Sequence, residues 1–266
     1  MTAREPGGLR RRIRAGELIL GQMVLELFTP GIGPMLDACD LDFVLYDMEH
    51  GGCDITLIAE MIASCRGSGI VPMARVPDAS YAPLSRVLDV GALGVMVPRV
   101  ETRAQAEDIV SQLKYAPAGR RGVAVGIAHD LYRPGTPDSF ARINEEICVI
   151  LLLETVKAYE NLDEILSVPG VDVAWMGHYD LTVSMGIPAQ FNHPRLLAAM
   201  DALVASCQRN GVAPGFLPPT PESAAHWISK GFRVLSLGTD GGVFMDGIRR
   251  FRAHLDPSGK AGRKKA

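Results

Sequence analysis

The sequence predicts a (β/α)8 barrel of the TIM type. Three observations lead there: eight short apolar runs recur along the chain, mostly helical segments separate them, and nearly every chemically unusual residue falls where one of those runs stops. Runs with little polar alternation are usually parallel strands covered by helices, and strand–helix units repeated eight times close into a barrel. An open, doubly wound sheet is the alternative that the same pattern allows.

In chain order, the runs are "LILGQMVL" (Leu18–Leu25), "DFVLYDM" (Asp42–Met48), "IVPMARV" (Ile70–Val76), "GVMVPRV" (Gly94–Val100), "CVILLLE" (Cys148–Glu154), "VDVAWMG" (Val171–Gly177), "APGFL" (Ala213–Leu217) and "FRVLSLG" (Phe232–Gly238). Each has strand length, and none is long enough for a helix. Between them, "TRAQAEDIVSQLKY" from Thr102 and "PRLLAAMDALVASCQRN" from Pro194 place apolar residues at i, i+3, i+4 and i+7, the period of a helix with one buried face. At 266 residues and 47% hydrophobic, the chain can fill one large core, so a single domain is expected over residues 1–255, followed by a basic, disordered tail at 256–266.

Composition excludes several classes. A formal net charge of −3 gives no general attraction to nucleic acid or to an anionic membrane. Five cysteines without a CxxC pair fit reduced thiols better than a disulfide frame. There is no signal-like apolar segment and no run near the roughly 18 apolar residues of a membrane span, so a cytoplasmic location is expected.

Function should therefore lie at strand ends. Asp47, Glu49 and His50 close the second run, Arg75 the third, Pro98 and Arg99 the fourth and Glu154 the fifth; "GHYD" (Gly177–Asp180) follows the sixth and "GTDGG" (Gly238–Gly242) the eighth. In a barrel these all open onto the C-terminal rim, where such folds keep their chemistry.

Each has a plainer role. Glu154 could be ion-paired with an arginine, and Asp180 could cap the helix after it. Two carboxylates on adjacent strand ends, however, make a sparse oxygen site for a divalent ion, and oxygen ligands alone do not choose among Mg²⁺, Mn²⁺ and Co²⁺. Arg75 could hold a carboxylate or a developing oxyanion in its planar fork, or simply pair with Glu154 or Asp47. His50, three residues after Asp47, is the candidate for proton transfer, with Glu49 a weaker candidate behind it. "YAPAGRRG" (Tyr115–Gly122) reads as a solvated turn or a substrate clamp, and "GTDGG" as a weak anion-binding turn. His129, His193, His226 and His254 are expected to be structural or exposed. No lysine ends a strand, which disfavours a Schiff base.

The stretches "YDMEHGGCD", "VPMARVP", "YAPAGRRGV", "LLLET" and "GHYDLTVSMG", in this order, make the chain resemble the metal-dependent (class II) pyruvate aldolases of the 4-hydroxy-2-oxoheptanedioate and 2-keto-3-deoxyrhamnonate aldolase type, from about Gln22 to Phe251. The resemblance implies a barrel whose last helix is exchanged between subunits of a trimer of dimers, and reversible cleavage of a 4-hydroxy-2-oxo acid to pyruvate and an aldehyde. It also implies roles. Glu154 and Asp180 would be metal ligands, Arg75 would contact the pyruvate keto oxygen, His50 would be the acid/base with Asp47 beside it, and Asp89 would approach that histidine from a neighbouring subunit. The backbone N–H groups of Tyr179 and Asp180 would receive the pyruvate carboxylate.

Two positions depart from that pattern: Gly177-His178 stands where relatives carry Gly-Pro, and Leu152 where many carry glutamine. For His178 three settings are open: solvent, a hydrogen bond to a metal-bound water, or direct ligation. An acyl-CoA ester lyase on a related barrel and a catalytically silent metabolite-binding barrel are the other functional readings.

Overall fold

The computed structural model describes residues 8–255. The basic tail expected at 256–266 lies outside the described residues. Eight parallel strands close into a barrel in sequence order: β1 (Ile19–Val24), β2 (Phe43–Asp47), β3 (Val71–Arg75), β4 (Gly94–Val97), β5 (Cys148–Leu153), β6 (Val173–Met176), β7 (Ala213–Phe216) and β8 (Val234–Thr239). Every strand falls within its predicted run or extends one residue past it, and the open-sheet alternative is excluded by the β1–β8 pairing.

Successive side chains alternate between the two faces of a strand, so each strand feeds two cores. Phe43, Leu45, Val71, Met73, Met96, Ile150, Leu152, Val173 and Trp175 fill the barrel interior. Val44, Tyr46, Ala74, Val95, Leu151, Ala174 and Leu235 pack outward in the larger core shared with the surrounding helices. Gly21 faces inward as well: a Cβ there would come within 2.5 Å of the Phe43 ring, so the glycine makes room for that large neighbour.

The amino end of the barrel is closed by the helix Gly8–Arg14, which the hydrophobic pattern did not reveal. Leu9 and Ile13 join the interior core, each contributing on the order of 1.5–3 kcal/mol. Arg10 Nε donates to both oxygens of fully enclosed Asp172, at 2.8 and 2.9 Å, and Arg14 Nε to one at 3.2 Å. At the same end Lys114 donates to the carbonyls of Asn144 (2.5 Å) and Ile147 (2.8 Å).

The last helix, Asp240–Leu255, is held at its start only. Asp240 accepts hydrogen bonds from the N–H groups of Leu25, Glu26 and Leu27 at 3.0, 3.0 and 2.6 Å, while every residue from Val243 to Leu255 is exposed. Val243, Phe244, Met245, Ile248, Phe251 and Leu255 are all at least 48% exposed, an apolar surface of the kind that another protein surface covers.

Candidate active site

The alternation that fills the interior also aims the polar residues. Asp47 continues the inward series Phe43, Leu45; Arg75 continues Val71, Met73; and Glu154, one residue past β5, continues Cys148, Ile150, Leu152. The β2–β3 register sets Asp47 directly beside Arg75. Arg75 Nε donates to Asp47 Oδ1 at 2.8 Å and Nη2 to Oδ2 at 2.5 Å, a bidentate fork on a carboxylate with no exposed surface. Asp47 Oδ1 also accepts from the backbone N–H of Glu49 (3.0 Å) and, at 3.4 Å, of His50. Asp47 therefore fixes the arginine and the turn that carries His50, and makes no bond to the imidazole ring.

Glu49 turns into the site. Its Oε2 lies 3.1 Å from Arg75 Nη1 and 3.9 Å from His50 Nε2, close enough for charge attraction but aligned for no hydrogen bond. Burial raises its pKa, against the lowering pull of Arg75 and His50. The His50 side chain is 61% exposed.

Glu154 accepts the backbone N–H of Arg99 on Oε1 at 2.9 Å; Arg99 adopts left-handed backbone (φ 60°), a strained setting for a non-glycine residue. Burial, then the like charges of Asp180 and Glu49, push the Glu154 carboxyl up to about 7, against the Arg99 N–H and Arg75. Gly177 lets it sit there: a Cβ at 177 would come within 2.6 Å of the Glu154 Cβ and 2.7 Å of Oε2. Asp180 lies in the first turn of the helix His178–Ser184, exposed toward a cavity of about 1120 Å³. His50, Arg75, Glu154, His178, Tyr179 and Asp180 all line this cavity, and Met23, Met96, Leu152 and Trp175 form its apolar floor.

Among the described residues no cluster of three or more Asp, Glu, His or Cys side chains could hold a metal ion. The Glu154–Asp180 pair still fits one. Burial and the neighbouring Asp180 charge disfavour the ionised form of Glu154 in a half-enclosed mouth, and a divalent cation held by the two carboxylates would relieve that cost, with water and substrate oxygens completing its shell.

The structure bears on three of the sequence-based expectations. His178 is not at the surface: its ring packs against Tyr179, Phe191 and Phe216 at 4.8, 5.2 and 6.5 Å, and burial moves its pKa from the expected 6.5 to about 4. Its Nε2 has no hydrogen-bond partner. His178→Pro is expected to keep turnover within about tenfold, a loss under roughly 1.4 kcal/mol, because proline is accepted at a first helical position and no hydrogen bond is given up; steady-state kinetics check this.

The loop "YAPAGRRG" does not reach the cavity of its own chain; most of it is exposed, as a solvated turn would be, but its Tyr115 and Arg121 side chains turn inward. It follows the helix Arg103–Leu113 to the amino end of the barrel, where Tyr115 and Arg121 are buried, and it contributes nothing to the cavity. Asp89 ends the helix Tyr81–Asp89 at that same end, paired with Arg121, and meets no His50 within its own chain.

The third concerns lysine: among the described residues none lines the cavity, as expected from the sequence. Burial lowers the pKa of Lys114 to about 8, the property a Schiff-base amine needs, yet it sits at the wrong end of the barrel. Its titration bears on stability. Between pH 8 and 10.4 the folded chain sheds this proton while the unfolded chain keeps it, so stability gains with rising pH. Urea unfolding should show the parent gaining about 2 kcal/mol on Lys114→Met between pH 8 and 10.

A parallel barrel that opens a carboxylate pair and a clamped arginine onto one cavity at its C-terminal mouth has the layout of an enzyme site. The chain belongs to the HpcH/HpaI aldolase/citrate lyase family, whose pattern matches residues 26–247. It is 29% identical over 262 residues to the 2-keto-3-deoxy-L-rhamnonate aldolase of Escherichia coli K12, covering 98% of this chain and 97% of that one. Among solved structures it is similar to the HpcH/HpaI aldolase of Desulfitobacterium hafniense DCB-2 (27% identity, TM-score 0.87, 93% and 96% of the two chains) and to the citrate synthase SbnG (28%, 0.84, 95% and 98%).

No helix among the described residues is long and apolar enough to cross a membrane.

Proposed function

We propose that the chain is a metal-dependent pyruvate aldolase that reversibly cleaves a 4-hydroxy-2-oxo acid to pyruvate and an aldehyde. The observation that carries this reading is the Glu154–Asp180 carboxylate pair beside an Arg75 fork locked by Asp47, all on one cavity. A divalent ion held by Glu154 and Asp180, with Mg²⁺, Mn²⁺ and Co²⁺ as the candidates, would supply Lewis-acid stabilisation of the enolate.

The chain's own residues do the rest. The substrate carboxylate accepts from the first-turn N–H groups of Tyr179 and Asp180, which have no partner within the helix. His50 takes the proton of the C4 hydroxyl. The C3–C4 bond breaks, C4 leaves as the aldehyde, and the electron pair goes to the pyruvate enolate. Arg75 gives two of its five N–H donors to Asp47, leaving others for the enolate oxygen. Protonation of C3 releases pyruvate. Asp89 serves the His50 of a neighbouring subunit, and the exposed apolar face of Asp240–Leu255 supports the exchange of this helix in a trimer of dimers.

The test is a screen of 4-hydroxy-2-oxo acids with coupled detection of pyruvate, after chelation and after restoring each ion. Activity is expected only with a divalent ion, and borohydride with pyruvate should leave no lysine adduct by mass spectrometry. Full turnover in protein shown metal-free by elemental analysis would refute the proposal. For His50→Ala, cleavage is expected to fall by about 10²–10⁴ with metal content and pyruvate binding retained, since proton transfer and chelation are separate tasks. Loss of bound metal in that variant would make His50 a ligand instead.

A further inference from the structure

We propose that Arg121 is a positioning residue of the reaction: it holds the Asp89 carboxylate of one subunit rigid for the His50 of a second copy. This rests on the reading above that Asp89 acts across subunits.

The two halves of that pairing are each incomplete in one chain. His50 is largely exposed, its nearest own carboxylate is Glu49 at 3.9 Å, and Asp47 is committed to Arg75 and backbone N–H groups. Asp89, at the far end of its own barrel, keeps its side chain 30% exposed.

What fixes Asp89 is built with unusual care. Arg121 Nη2 donates to Asp89 Oδ1 at 2.7 Å from a side chain only 1% exposed. Its guanidinium lies 4.6 Å from the centroid of the Tyr115 ring. That ring is anchored in turn: Tyr115 N donates to Asn144 Oδ1 at 2.7 Å, Asn144 Nδ2 donates back to Tyr115 O at 3.0 Å, Phe140 packs edge-on at 5.0 Å, and the hydroxyl meets His129 Nε2 at 3.2 Å.

Stability alone does not account for this arrangement. Burying a guanidinium carries a desolvation cost that one partly exposed partner scarcely offsets, and Arg121 Nε is left buried without any acceptor. A fixed donor platform instead removes the rotational freedom of Asp89, which a proton-transfer partner must not have. The segment after Arg121 adds Val123, Val125, Leu131 and Tyr132, all at least 45% exposed, an apolar surface that a second copy would cover.

The test compares Arg121→Gln, Arg121→Lys, Asp89→Asn and the double variant Arg121→Gln/Asp89→Asn in the assembled enzyme. Arg121→Gln should lower kcat by about 10–100-fold with KM for the oxo acid changed by less than about threefold, and Arg121→Lys should recover part of the loss. The double variant should be no worse than Asp89→Asn within about twofold, because both substitutions remove one device. Losses that multiply, or an unchanged kcat in Arg121→Gln, would overturn the proposal. If Arg121→Gln does not assemble, Arg121→Lys alone and combined with Asp89→Asn makes the same comparison.

Failure of the underlying reading is separable. Asp89→Asn with parental activity would dispose of the Asp89 role whatever Arg121 does. Co-assembled His50→Ala and Asp89→Asn chains should regain activity, because some sites then join an intact histidine to an intact partner aspartate. A mixture as inactive as its components would overturn action across subunits.

Discussion

Glu154→Gln is expected to lower kcat/KM for pyruvate release by about 10³-fold or more and to empty the site of metal. Glutamine keeps the size of the side chain and an oxygen able to accept the Arg99 N–H, so the fold around β5 should persist. What disappears is one of two anionic donors. A Lewis acid at a forming enolate supplies several kcal/mol, and each 1.36 kcal/mol is a factor of ten, so about 4 kcal/mol corresponds to the expected loss. Elemental analysis alongside kinetics separates the two effects. A variant that retains stoichiometric metal and parental turnover would remove Glu154 from the centre and leave Asp180 without its partner.

The second large effect belongs to Arg75→Lys, expected to cost about 10²–10³ in kcat/KM, the range seen when one oxyanion donor is lost. Lysine keeps the positive charge, so a purely electrostatic role would survive the change. The geometry would not. An ammonium cannot lie along both Asp47 oxygens, reach Glu49 and still aim donors at substrate, whereas the planar fork does all of these at once. Because Asp47 is fully buried, the variant also leaves that carboxylate short of a donor, and some loss of thermal stability should accompany the kinetic loss. Unchanged kcat/KM would take Arg75 out of the reaction.

Much of this site was legible beforehand for one reason: strand side chains alternate with a period of two. Once Phe43 and Leu45 are interior, Asp47 must be interior too, and the same parity carries Arg75 and Glu154 inward. The sequence also held a signal for Gly177, since a glycine two residues past inward-facing Trp175 marks a place where a neighbouring side chain crosses the strand end. Loops lack such a period. "YAPAGRRG" therefore read as a turn or a clamp, although its second arginine is buried at the opposite end of the barrel, and His178 could not be assigned a setting until Phe191 and Phe216, distant in sequence, closed around it.

By itself, the sequence determined the eight strands and the family, because these follow from local apolar periodicity and from motifs a few residues long, while closure of the barrel waited on the β1–β8 pairing. Tertiary structure decided everything that depends on two distant segments meeting. It gave Asp47 to Arg75 rather than to the His50 ring, buried Glu154 beside the charges of Asp180 and Glu49 so that its carboxyl is pushed up to about 7, and set Asp89 on Arg121 at the end of the barrel away from its own histidine. A carboxylate's charge state and partner depend on the burial and fields around it, and those are made by residues that chain order does not bring together.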